Sequence, residues 1–127
     1  MTRILVVEDD HILQELLVQI LEVEGYECLT AMNGREGLEL AKTEPPDVVL
    51  MDLMMPVMNG MDAIRAIRRD PSLHSCKIIA MSAGRNLLEM SHELEADSVL
   101  GKPFDLDALI ADVAIQARHA ALHREAC

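Results

Sequence analysis

The chain has 127 residues, half of them hydrophobic, a formal net charge of -11, and only Tyr26 and Phe104 as aromatic side chains. That length suits one domain with an aliphatic core, burying about two-thirds of its unfolded surface without staples. The acidic balance argues against direct nucleic-acid contact. Cys28, Cys76 and Cys127 are odd in number and lack metal-ligand spacing, so reduced thiols are expected. No leader pattern and no membrane-length apolar run is legible, so a soluble, cytoplasmic domain with no membrane partner is expected.

Short apolar runs alternate with helical patterns along the chain. Ile4 to Val7 reads as a first strand. Asp10 then caps a helix whose Ile12, Leu13, Leu16, Leu17, Ile20 and Leu21 form one stripe, ended by Gly25. Tyr26 to Met32 reads as a second strand. Asn33 opens a second helix, with Glu36 in capping-box position and Leu38 and Ala41 on its buried side, and Pro45-Pro46 end it. The third strand spans about Val48 to Met51. After a methionine-rich loop, Asn59 caps a helix carrying Ala63, Ile64 and Ile67, which Asp70-Pro71 stops. Ile78 to Met81 is a fourth strand, followed by a weaker helix near Leu87 to Leu94. Ser98 to Leu100 makes a short fifth strand. Asp105 caps a last helix with Leu109, Ile110, Val113 and Ala117 inward, and the alanine-rich end from Ala120 is expected to fray.

This alternation predicts an α/β, doubly wound (βα)5 fold around a five-stranded parallel sheet. The runs Val48-Val49-Leu50 and Ile78-Ile79 are apolar at successive positions, as strands covered on both faces require. The order 2-1-3-4-5 is the one common to flavodoxin-like sheets, and it would set strands one and three beside the switch point. The single domain is taken as 1–127, with its core at about 3–118 and an extension or tail beyond.

Chemistry gathers at the ends of the strand runs. Glu8 and Asp9 follow the first, Asp52 the third, Ser82 ends the fourth, and Lys102 follows the fifth. In an open α/β sheet the carboxyl edge is where ligands bind. Three close carboxylates repel, so they hold a proton or bind a cation; Mg2+ suits oxygen donors and also contacts phosphate. A carboxylate can attack phosphorus to give an aspartyl phosphate, with the lysine and hydroxyl supplying charge and a hydrogen bond to the phosphoryl oxygens.

The series Ile4-Leu5-Val6-Val7-Glu8-Asp9-Asp10, Asp52 through Gly60, Ser82-Ala83 and Lys102-Pro103-Phe104 resembles the receiver domain of two-component response regulators, a chemotaxis-regulator-like superfamily. The likeness covers about residues 3 to 118; each piece is weak, and the ordered set is specific. It implies that Asp52 accepts a phosphoryl group from a histidine kinase or a His-containing phosphotransfer protein. It implies Mg2+ held by Asp9, Asp52 and the main-chain carbonyl of Met54, with Glu8 acting through water. Lys102, before a cis peptide to Pro103, would pair with the phosphoryl group. Ser82 would swing to bond it, and small Ala83 would leave the donor room. An unknown downstream protein and a phosphorylation-dependent dimer belong to the same expectation. Self-catalysed transfer and hydrolysis are the only enzymic steps it implies.

Two departures stand out. Many receivers carry Tyr or Phe three residues before the lysine, where this chain has Val99, and the 20 positions from Ser82 to Lys102 are about two fewer than the family's usual interval. Met54 and Gly84 offer no polar side chain to orient an attacking water, so slow self-dephosphorylation is expected. A pseudo-receiver used as a binding module stays open. An aspartate-nucleophile phosphatase of the haloacid-dehalogenase type is disfavoured, because Met54 stands where that family wants a second Asp. Asp10 is the third acid of its run, and helix capping explains it equally well; packing explains the methionines, and a solvated helix face explains His119 and His123, for which no third ligand follows in the sequence.

Overall fold

The two-sided apolar runs build the centre of the fold. The computed structural model describes residues 1–55, 57–83 and 95–126. In chain order it comprises β1 (Arg3–Val7), α1 (His11–Val23), β2 (Glu27–Ala31), α2 (Gly34–Thr43), β3 (Val48–Asp52), α3 (Gly60–Arg69), a 3-10 turn (Pro71–Leu73), β4 (Lys77–Ser82), β5 (Ser98–Gly101) and α4 (Leu106–Ala126). The expected helix near Leu87 to Leu94 lies outside the described residues.

The strands form one parallel sheet in the order β2-β1-β3-β4-β5, as expected. Alternation along each strand sorts its side chains into two layers. Leu5, Val7, Val49, Met51, Ile78 and Ala80 face Ala63, Ile64 and Ile67 of α3 and Ala41 of α2. Ile4, Val6, Val48, Leu50, Ile79 and Met81 face Leu17 and Leu21 of α1 and Leu109 and Val113 of α4. Cys76 lies in the first layer, where burial pushes its thiol up to about 12; burial likewise raises Cys28 to about 11. Both are held as neutral thiols at pH 7, of low reactivity.

The caps follow the sequence. Asp10 Oδ1 accepts from the amides of Ile12 and Leu13, Asn33 Oδ1 from Glu36, Asn59 Oδ1 from Asp62, and Asp105 Oδ1 from Asp107. Asn33 Nδ2 also donates to Glu36 Oε2 at 3.0 Å, joining the two capping side chains.

Three expectations are corrected. The α1 stripe is wider than the groove that receives it: Leu17 and Leu21 are buried, but Ile12 is 81% and Leu16 44% exposed. Ile12 and Leu16, four residues apart, share one flank of the helix, turned away from the Leu17–Leu21 line that meets the sheet. Ile110 is only half-buried on α4, while Gln116 on the same helix is buried. Finally, the end from Ala120, expected to fray, instead takes the other reading, a helical extension. It continues to Ala126, with Ala120 only 1% exposed. Alanine is the best helix former, and its small side chain lets the helix lie close against its neighbours.

Candidate functional site

Register brings the sequence-distant acids together. Val7 pairs with both Ala31 and Met51, so the residues just past β1 stand beside Asp52 at the end of β3. Ser82 pairs with Gly101, which sets Lys102 just beyond the same sheet edge. Glu8, Asp9 and Asp52 each offer a carboxylate oxygen, and these oxygens lie within 4.8 Å of one another. Glu8 and Asp52 are buried and Asp9 is exposed, which leaves the trio open on one side. Three carboxylates so placed present hard anionic donors, a set that suits Mg2+.

Lys102 supplies the compensating charge. Its Nζ donates to Glu8 Oε1 at 2.7 Å and stands 3.3 Å from Asp52 Oδ1. β5 is three positions from β1, about 14 Å at ordinary strand spacing, so the turn must lean back across β4 and β3. Lys102.. Pro103 is a cis peptide, as expected, and the Lys102 amide donates to the Ser82 carbonyl at 2.7 Å. Burial pulls the Lys102 ammonium down, but the hydrogen bond to Glu8 and the charges of Asp52 and Glu8 outweigh it, so its pKa is raised.

The remaining predicted residues are near but differently engaged. Asp52 Oδ1 also accepts from the Met54 amide at 3.3 Å, while the Met54 side chain is exposed. Ser82 is buried at the end of β4. Asp10 serves as the α1 cap and stands outside the acid trio. Val99 is half-buried in β5 and packs against the α2–α3 layer.

Sequence reasoning missed two positioning side chains. Buried Gln14 donates through Nε2 to the carbonyls of Glu8 at 3.1 Å and Ala31 at 3.0 Å, pinning the acid loop to the end of β2. A polar residue at helical spacing with Leu17 and Leu21 was the available signal. Arg68, at the end of α3, donates to the carbonyls of Glu95 and Cys76 and meets Asp97 Oδ2 at 2.6 Å. Asp97 Oδ2 also accepts from the Ile78 amide at 2.7 Å, so this clamp fixes where β5 begins. Nothing local in the sequence marks that pairing.

Comparison with known proteins agrees with the geometry. The response regulator receiver domain matches residues 4–114. The chain is 36% identical over 115 residues to the transcriptional regulatory protein CpxR of Escherichia coli K12, covering 89% of this chain and 48% of that protein. It is 36% identical over 118 residues to the DNA-binding response regulator MtrA of Mycolicibacterium paratuberculosis, covering 91% and 51%. It therefore spans about half the length of each. The response regulator TrrA of Thermotoga maritima, solved in complex with Mg2+-BeF, superposes with a TM-score of 0.82 at 34% identity, covering 91% of this chain and 99% of that one.

These relatives correct one expectation. The acidic charge of this segment argues against direct nucleic-acid contact, yet a protein named as DNA-binding matches across the same residues. Net charge describes only the residues counted, and half of that relative lies outside the match. Among the described residues, no helix is long and apolar enough to cross a membrane.

Proposed function

Because the chain belongs to the response regulator receiver family, we propose that Asp52 accepts a phosphoryl group from a phosphohistidine of a histidine kinase or phosphotransfer protein. An Asp52 carboxylate oxygen attacks phosphorus, the P–N bond breaks, and the departing imidazole takes up a proton. What carries this proposal is the meeting of Lys102 with Glu8 and Asp52 at one sheet edge, from opposite ends of the sequence.

Asp9, Asp52 and the Met54 carbonyl would hold Mg2+, with Glu8 acting through water. When bound, the ion neutralises charge on the acids and the incoming group. Lys102 is proposed to exchange a carboxylate for a phosphoryl oxygen, and Ser82 to donate its hydroxyl to another. Burial of Asp52 and Glu8 strengthens each of these charge contacts relative to open water. Turnover of external phosphoesters is not part of the proposal, since Met54 supplies no acid two residues after Asp52. We place the protein in the cytoplasm, beside its kinase. CpxR and MtrA carry transcriptional and DNA-binding names, so we propose an output that includes control of DNA binding by an attached or partner domain.

Acetyl phosphate with Mg2+ tests the proposal. Expected is one phosphoryl group per chain, stable to acid, labile to hydroxylamine, and absent when EDTA removes the metal. No uptake would favour the pseudo-receiver, which the β-branched, half-buried Val99 keeps in play as a second reading. Continuous release of phosphate from varied phosphoesters would favour a phosphatase.

A further inference from the structure

A second group of metal-competent side chains lies at the other end of the sheet. His74 follows the 3-10 turn and precedes β4, so it stands at the amino edge of the strands, away from the acid pocket. α4 runs to the same edge, and its His123 ring packs against the His74 ring with centroids 5.2 Å apart and an interplanar angle of 75°. His119 stands one helical turn before His123, exposed on α4. The fold thus sets beside His123 an imidazole that the sequence alone does not place there.

The hydrogen bonding of His74 makes it more than a ring contact. Its Nδ1 lies 2.8 Å from the Pro71 carbonyl. A carbonyl only accepts, so the neutral ring carries its proton on Nδ1 and its lone pair on Nε2. That is the outer-shell arrangement that orients histidine ligands around metals. Two imidazoles bound to one tetrahedral Zn2+, at Zn–N of about 2.0–2.1 Å, place their ring centroids about 5 Å apart. The His74–His123 separation already meets that requirement, although two packed rings reach it without a metal. The locked tautomer and the i, i+4 partner are what distinguish this pair.

We propose that His74, His119 and His123 bind a divalent transition metal, with Zn2+ as the representative ion, water completing the tetrahedron. Among the described residues, only the acid trio already has three ligand atoms within 4.8 Å. The proposed histidine site therefore requires the exposed His119 side chain to turn toward the His74–His123 pair. Imidazole nitrogen selects Zn2+, Ni2+ or Cu2+ over Mg2+, so the two sites take different ions. A bound ion ties the end of α4 to the turn that feeds β4.

The test is calorimetric titration of the untagged full chain with ZnCl2, with millimolar Mg2+ present to occupy the acid pocket. One equivalent is expected, weakened at least about tenfold by each of His74→Ala, His119→Ala and His123→Ala, and unchanged by His11→Ala. X-ray absorption of the wild-type zinc complex needs no substitution; two or three imidazole ligands are expected. Unaltered binding in His74→Ala, a coordination shell of carboxylate oxygens, or affinity no better than millimolar would each overturn the proposal.

Discussion

β3 and β5 both flank β4 in one sheet, yet their surroundings differ along their whole length. Every residue of β3, Asp52 included, is buried, whereas all four residues of β5 are half-buried. One strand holds the proposed phosphoacceptor on a floor that cannot yield without opening both apolar layers. The other delivers Lys102 from an edge held at its start mainly by Arg68 and Asp97. A site assembled this way sets its proposed nucleophile in the core and draws its counter-charge from a more exposed edge.

Substitutions on the two strands test that contrast. The largest effect is expected from Asp52→Asn, which keeps the shape of the side chain and removes the attacking oxygen. Intact-mass measurement after acetyl phosphate treatment should find no phosphorylated chain, with the circular-dichroism spectrum unchanged. Leu50→Ala, one core residue away, should cost about 2–5 kcal/mol in urea unfolding, as a large-to-small change at a fully buried position. Val99→Ala on β5 should cost only about 1 kcal/mol, since its side chain is already half exposed. Equal losses at Leu50 and Val99 would erase the distinction.

Lys102→Met sharpens the comparison from the other side. It removes a positive charge that stands 2.7 Å from Glu8 and 3.3 Å from Asp52. Mg2+ affinity, followed by titration, should therefore rise severalfold even as phosphoryl uptake falls. The smallest effect concerns pH. Folding raises the Lys102 pKa above 10.5, so the folded chain holds that proton more tightly than the unfolded one. Its pairing contributes through neutral pH and is lost as pH climbs past the folded value. Urea midpoints of wild type and Lys102→Met should differ at pH 7 and converge above pH 10.5.

Local signals were the legible ones. Asp10, Asn33 and Asn59 announce their helices because a cap is satisfied within three residues, and β1, β3 and β4 announce themselves because both faces are apolar. The acid trio was legible as positions after strands. That Lys102 meets Glu8 across 94 residues was not, because the resemblance pointed the lysine at a phosphoryl group and no local pattern encodes its resting partner. The α1 stripe misled at Ile12 and Leu16 because helical periodicity describes a helix and not the width of the groove that receives it. His123 reads as part of a solvated helix face and nothing in the sequence links His74 to it; the length of α4 brings the two into contact.

Gly60 carries a further consequence. A Cβ there would collide with the main-chain carbonyl of Asp52, and the Gly60 amide reaches back to the Leu53 carbonyl at 3.4 Å. The chain leaving the acid pocket thus returns to its own starting point before α3 begins, like a hoop fastened at its clasp. A hoop without slack passes displacement on. Any shift of the peptide at Asp52 therefore bears directly on the first turn of α3.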